Sequence, residues 1–174
     1  MTSNSSTTFS GKNTFHNSGI PAEKITKEQI HQLASEAIAA RDAIMKFWLD
    51  RCEDKQYGGF LTNFDASGNN TGTSEKYLNT QCRFIWTFSS LLRRGGDKEY
   101  ERLARLGIDF IIENFWDEHY DGFYWKTNRD GSELDKGKIV YGESFAIYAL
   151  SEYYLATRDP RGLEYAAKTF DALQ

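Results

Sequence analysis

Apolar positions three and four residues apart recur in five stretches of the chain, and each stretch predicts a helix. The first begins at Thr26, a candidate N-cap, with Gln29 at the offset of a capping box. Gly95 and Gly96 follow the second stretch in the manner of a helix C-terminus, and Pro160 separates the last two. We therefore predict helices over residues 26–51, 74–93, 98–114, 141–157 and 161–174.

Two glycine-containing loops join these helices in pairs and share one sequence pattern. Paired or single glycines, a short alternating stretch and a second turn predict a small β-hairpin in each loop. Their matching positions lie 63 residues apart, which indicates a repeated unit of helix, hairpin and helix. Such units bury their apolar faces against neighbouring units. The matching residues are Asp54, Tyr57, Gly59, Phe60 and Gly68 in the first loop and Asp117, Tyr120, Gly122, Phe123 and Gly131 in the second.

The two ends of the chain differ in character. Residues 1–24 are rich in Ser, Thr, Asn and Gly and show no apolar period, so we predict a disordered polar tail. The helical period is still running at Gln174, without a C-terminal capping residue. A ring of six such hairpins would need about 380 residues. We therefore expect the chain to be the N-terminal part of a longer protein.

Composition and charge limit the kinds of partner that this chain is expected to bind. The net charge of −4 and the sequence pI of about 5.4 argue against nucleic acid and anionic membranes. Two cysteines without metal-ligand spacing predict neither a disulfide framework nor a metal site. No apolar run is long enough to span a bilayer, and the N-terminus lacks a secretory signal. We expect a cytoplasmic protein without metal or cofactor.

Two helical segments carry a family resemblance. These segments, KYLNTQCRFIWTFS from Lys76 and YGESFAIYALSEYY from Tyr141, together with the GGF loop, resemble the N-acylglucosamine 2-epimerase family, which includes the cellobiose 2-epimerases. The similarity covers residues 47–174. It implies an all-α fold built from helical hairpins. Residues 25–174 would form an incomplete (α/α)6 barrel of about five helices, with short β-hairpin loops.

The resemblance also implies a reaction. Family members epimerise a sugar at C2, or isomerise aldose to ketose, by removing the C2 proton and returning it. Two histidines act as acid and base, since their pKa lies near neutrality. An arginine on an inner helix stabilises the enediolate. The substrate implied here is a mono- or disaccharide.

The site can be carried over only in part. Arg83 matches the family's inner-helix arginine, and we expect it to contact the substrate and the enediolate. Ile139 stands where some cellobiose epimerases have a histidine, and Glu143 where a glutamine is frequent, which leaves a preference for disaccharides open. The expected substrate-binding residues are Tyr141, Asn79, Trp86 and Glu143.

The catalytic histidines of the family lie in later hairpins, beyond Gln174. The three histidines of this chain, His16, His31 and His119, match neither of them. We therefore expect the chain to be inactive alone. Its uncovered apolar faces predict self-association or partial unfolding.

Other interpretations stay open at this stage. Arg83 could be a structural residue paired with Glu75 or Glu143. The acidic residues Asp117, Glu118 and Asp121 suggest a glycosidase, although Asp117 has the same repeat position as Asp54, which favours a role in the turn. The alternatives for the whole protein are a six-hairpin glycoside hydrolase or lyase and a non-catalytic helical binding protein.

Overall fold

The computed structural model describes residues 25–72 and 75–174, so the tail predicted for residues 1–24 lies outside the described residues. Within these ranges, the five predicted helices are present, together with three short strands. Two of the strands form the hairpin predicted for the second loop, whereas the first loop has isolated bridges, Glu53 to Phe60 and Phe64 to Asn70, in place of a hairpin. The helices are α1 (Lys27–Leu49), α2 (Leu78–Arg93), α3 (Lys98–Phe115), α4 (Val140–Thr157) and α5 (Pro160–Ala172), and the strands are β1 (Lys76–Tyr77), β2 (Lys126–Thr127) and β3 (Glu133–Asp135).

Side-chain caps fix the beginnings of three helices. At α1, Thr26 Oγ1 accepts the Gln29 N–H at 3.2 Å and Gln29 Oε1 accepts the Thr26 N–H at 2.8 Å, which confirms the predicted capping box. Asp97 caps α3 through the Glu99 N–H at 2.8 Å. Asp159 caps α5 in the same way, directly before the proline that opens this helix.

Helix α2 begins later than the sequence predicts. Lys76 and Tyr77 are extended and pair with β2 in an antiparallel sheet of order β1-β2-β3. The Leu78 N–H then donates to the Trp125 carbonyl at 3.0 Å. The loop of the second repeat therefore fixes the start of the helix in the first repeat. This long-range pairing is not visible in the helical period.

The described chain forms two compact units, residues 25–43 and 44–174. The first is the N-terminal part of α1. In the second, α2 and α4 pack on each other, α3 packs on α2, and α5 packs on α4. None of the helices in the described ranges is long and apolar enough to cross a bilayer. The main core residues are Leu78, Cys82, Ile85 and Phe88 of α2, Leu103, Ile108 and Ile111 of α3, and Ala146, Leu150 and Tyr153 of α4.

Each hairpin loop is held by an aspartate. Asp54 Oδ1 accepts the N–H groups two and three residues later at 3.2 and 3.3 Å. Asp117 Oδ1 accepts the corresponding N–H groups at 3.0 and 3.1 Å. Both loops close with an antiparallel bridge, to Phe60 and to Phe123 respectively. The prediction that these aspartates fix the turn is confirmed.

A lysine from the start of each inner helix segment braces the loop. Lys76 Nζ lies 3.1 Å from Asp54 Oδ2, and Lys138 Nζ lies 2.8 Å from Asp117 Oδ2. The two lysines are 62 residues apart, whereas the two aspartates are 63 apart. The second repeat therefore has one residue fewer between its loop and its inner helix, and the inner helices α2 and α4 correspond at an offset of 62.

Candidate functional site

A cavity of about 350 Å³ lies between α2 and α4. Residues three and four apart on one helix share a face, so each helix contributes one turn of side chains to the lining. The lining includes the two predicted site residues on α2, Arg83 and Trp86. It also includes Thr87, Phe145 and Tyr148, which the sequence analysis does not place in a site.

The guanidinium of Arg83 is exposed at this cavity. Its Cζ lies 5.4 Å from the centroid of the Phe145 ring, within the range of a cation–π contact. Within residues 25–72 and 75–174, no carboxylate forms an ion pair with it. Glu75 instead lies 3.2 Å from Lys126 Nζ, and Glu143 is buried against a loop. The structural interpretation, in which Arg83 pairs with either glutamate, is therefore wrong.

Trp86 and Tyr148 form a flat aromatic pair next to the guanidinium. Their ring centroids are 5.1 Å apart and their planes are inclined by 15°, so the rings are stacked. Tyr148 keeps 51% of its surface exposed. A flat apolar surface beside a charged hydrogen-bond donor suits a ligand that has an apolar face and several oxygen atoms.

Tyr141 and Asn79 lie one helical turn before the cavity and do not line it. Tyr141 is 53% exposed. Its ring packs edge-on against Phe145 at 5.0 Å and against Trp125 at 6.4 Å. Asn79, at the same place in α2, is half-buried and accepts a long hydrogen bond from the Thr80 hydroxyl at 3.4 Å. Both side chains belong to the cavity side of their helices by helical period.

Glu143 is the most buried of the predicted site residues, at 3% exposure. Its Oε1 accepts the Phe123 N–H at 2.8 Å, and its buried Oε2 has no hydrogen-bond partner among the described residues. Burial raises the pKa of this carboxyl to about 7, although the Phe123 N–H and the charge of Lys138 act in the opposite direction. The side chain contacts the second hairpin loop and does not line the cavity.

The other candidate acids and bases lie elsewhere. The hydrogen bond from Lys138 lowers the pKa of Asp117 to about 2, so this carboxyl is ionised at neutral pH and unsuited to general acid catalysis. His31 and His119 are exposed and do not line the cavity, and His16 lies outside the described residues. The described ranges hold no group of three or more His, Cys, Asp or Glu placed to bind a metal ion.

The residues that sequence reasoning missed have a recognisable signal. At the offset of 62, Arg83 corresponds to Phe145 and Trp86 corresponds to Tyr148. The offset of 63 read from the loops does not align these pairs. An alignment that allows one deleted residue after the loop places all four on the same pair of helix faces.

Comparison with known proteins is consistent with this geometry. The profile of the N-acylglucosamine 2-epimerase family matches residues 58–174. The cellobiose 2-epimerase of Bacteroides fragilis is 34% identical over 131 residues, which are 75% of this chain and 33% of that protein. The cellobiose 2-epimerase of Dictyoglomus turgidum is 30% identical over 131 residues, again 75% and 33%.

A solved structure gives the same result. The cellobiose 2-epimerase of Spirochaeta thermophila is 33% identical and superposes with a TM-score of 0.78 over 84% of this chain and 36% of that one. The chain thus spans about a third of the length of these relatives. The helices described above form part of an (α/α)6 barrel, as the resemblance implies. By its profile match and its fold, the chain belongs to the N-acylglucosamine 2-epimerase family.

Proposed function

We propose that this chain carries the arginine-containing part of the substrate site of a sugar 2-epimerase or aldose–ketose isomerase. The observation that carries the proposal is the exposed guanidinium of Arg83, which has no carboxylate partner among the described residues and lies beside the stacked rings of Trp86 and Tyr148. An unpaired guanidinium at a cavity wall is available to ligand oxygen atoms.

The chemistry of epimerisation explains why an arginine is useful there. Removal of the C2 proton from an open-chain sugar leaves an enediolate, with negative charge on two neighbouring oxygen atoms. A guanidinium can donate two parallel hydrogen bonds to such a pair, and the stabilisation grows in a site that excludes water. We assign this role to Arg83. Trp86 packs against the apolar face of the sugar, and Tyr141 and Asn79 are further substrate contacts.

The proton transfer itself requires groups that this cavity lacks. An efficient acid and base has a pKa near the working pH and reaches the C2 proton. The described residues that line the cavity include no histidine and no carboxyl group, and His31 and His119 lie elsewhere. We infer that the acid and base belong to the part of the family's length that this chain does not span, so the chain alone is inactive. Incubation with glucose, mannose, N-acetylglucosamine or cellobiose in D2O should give no deuterium at C2 by NMR.

A chimaeric protein tests the role of Arg83 directly. The matching 131 residues of the Bacteroides fragilis cellobiose 2-epimerase are replaced by those of this chain, and epimerisation of cellobiose is followed. Arg83→Lys should lower kcat by about 100-fold or more, because the fork of donors aimed at the enediolate is lost. Arg94→Lys, at the C-cap of the same helix, is the control, since the Arg94 guanidinium lies outside the cavity and donates to the Ser90 hydroxyl at 2.8 Å. An unchanged kcat for Arg83→Lys in an active chimaera would refute the assignment.

A hydrolase is the less favoured function. Glycoside hydrolysis uses two carboxyl groups that flank the scissile bond. The cavity at Arg83 is lined by no carboxyl group of the described residues. The acidic residues that suggested a glycosidase lie in the second loop. Among them, Asp117 pairs with Lys138 and accepts a backbone N–H of the turn, so it has a structural role.

A further inference from the structure

Gln81 anchors the first hairpin loop to α2 with two hydrogen bonds. Its Oε1 accepts the Phe60 N–H at 2.8 Å, and its Nε2 donates to the Phe60 carbonyl at 2.9 Å. The side chain is fully buried. The backbone N–H and the carbonyl of Phe60 therefore both have a hydrogen-bond partner in the Gln81 side chain.

Glu143 occupies the same place in the second repeat, 62 residues later. Its Oε1 accepts the Phe123 N–H, also at 2.8 Å. By this correspondence, its Oε2 is the counterpart of the donor atom Nε2 of Gln81, and it is buried without a hydrogen-bond partner among the described residues. An ionised carboxylate has no donor, whereas a carboxylic acid has one O–H.

We propose that Glu143 is held as a neutral carboxylic acid whose Oε2–H donates to the Phe123 carbonyl, so that it positions the second hairpin loop as Gln81 positions the first. The proposal rests on the repeat geometry and does not depend on sugar chemistry. It assigns a protonated acid to a place where the sequence alone suggests a charged substrate contact.

The groups that face Glu143 favour the neutral form. Burial raises the pKa of this carboxyl and outweighs two opposing groups, the Phe123 N–H of the loop and Lys138 of the segment before α4. The ammonium of Lys138 is itself paired with Asp117 at 2.8 Å. From α2, Cys82 faces the acid, and burial together with Glu143 raises the pKa of its thiol, so it adds no charge. From the loop, Gly122 brings only backbone, and a Cβ there would lie 2.8 Å from Glu143 Oε1.

The second hairpin loop, which Glu143 holds, carries Trp125, and Trp125 packs beside the predicted site residue Tyr141. Trp125 follows Phe123 by two residues and packs its ring near Tyr141 and against Gly142, where a Cβ would approach the indole to 3.0 Å. Glu143 is therefore a positioning residue for the segment from Phe123 to Trp125.

The pH dependence of unfolding tests the proposal with an isosteric variant. A carboxyl whose pKa rises from 4.5 to about 7 on folding stabilises the fold fully below pH 4.5, and this stabilisation is lost as the pH rises to about 7. Between pH 5 and pH 8, the unfolding constant of the unmodified chain should rise by about 100-fold relative to Glu143→Gln. Groups that are the same in both proteins cancel in this ratio.

Two further measurements keep the test independent of any single variant. Gln81→Glu should acquire the same pH dependence, because it places an acid in the equivalent pocket. In the unmodified chain, a ¹³C-labelled glutamate carboxyl should titrate with a midpoint near pH 7, and this resonance should be missing in Glu143→Gln. The proposal is overturned if no glutamate titrates above pH 6, or if the unmodified chain and Glu143→Gln unfold with the same pH dependence.

Discussion

The two loop aspartates provide a matched pair for measuring the energetics of a buried charge. They hold the same turn in the two repeats, but their lysine partners differ in burial, and Asp54 is also paired with Arg129 at 2.8 Å. The side chains of Asp54 and Lys76 are 0% and 2% exposed, whereas those of Asp117 and Lys138 are 9% and 28% exposed. We predict that Asp54→Asn destabilises the chain far more than Asp117→Asn.

The magnitude follows from what each substitution leaves behind. Without the charge of Asp54, the buried ammonium of Lys76 keeps the carbonyl oxygens of Gly58 and Arg129, at 2.5 and 2.8 Å, and the Phe110 ring, whose centroid is 4.3 Å away, but no anion among the described residues. Breaking a buried ion pair from one side costs about 3–5 kcal/mol of unfolding free energy. At Asp117, the partly exposed Lys138 can turn to water, so the loss should be about 1 kcal/mol.

Urea unfolding at pH 7, followed by circular dichroism, measures both losses against the unmodified chain. The double variant Asp54→Asn, Lys76→Met should recover part of the loss, because it removes the uncompensated charge. Equal losses for Asp54→Asn and Asp117→Asn, or no recovery in the double variant, would show that burial of the lysine does not set the cost.

Three further predictions concern acid, packing and association. Burial raises the pKa of Asp54, but hydrogen bonds from Arg129 and Lys76 outweigh it and lower the pKa to about 2, so this carboxyl stabilises the fold above pH 3.8. About 2 kcal/mol should be lost as the pH falls from 3.8 towards 2, and an acid titration of Asp54→Asn should lack this component. Gly107→Ala should cost about 1–3 kcal/mol in urea unfolding, because its Cβ would lie 2.5 Å from Ile85 and 2.6 Å from Phe60. Sedimentation at increasing concentration should show self-association, because large apolar side chains are exposed, among them Ile30, Leu33, Ile38, Leu163 and Phe170. A protein that stays monomeric at all concentrations would contradict this prediction.

Local signals were sufficient to predict most of the fold. The capping box at Thr26, the helix end at Gly95 and the glycine loops are features of a few neighbouring residues, and the structure has each of them where the pattern places it. The role of Asp54 and Asp117 in the turns also follows from the sequence. The two residues have the same position in two copies of one loop, which indicates a structural role repeated in each copy. The helical period located α1, α3, α4 and α5 within about two residues.

Long-range pairing explains what the sequence could not predict. The late start of α2 depends on β1 meeting β2, some fifty residues further along the chain. The burial of Glu143 depends on a loop that reaches it from twenty residues away. Neither contact changes the apolar period of its own helix, so the family resemblance, which matches positions alone, assigns Glu143 to the substrate.

The offset of 62 between the inner helices separates structural positions from candidate site positions within one chain. Positions that hold the loops keep their chemistry in both repeats: lysine at Lys76 and Lys138, and a long side chain with a carbonyl-type oxygen at Gln81 and Glu143. Positions on the cavity side diverge more: Arg83 corresponds to Phe145 and Asn79 to Tyr141, although Trp86 and Tyr148 are both aromatic. A hairpin needs the same anchors in every copy, whereas a substrate has no such symmetry. The divergence of the cavity-side positions is therefore the pattern expected of a scaffold built from repeats around a single, asymmetric ligand.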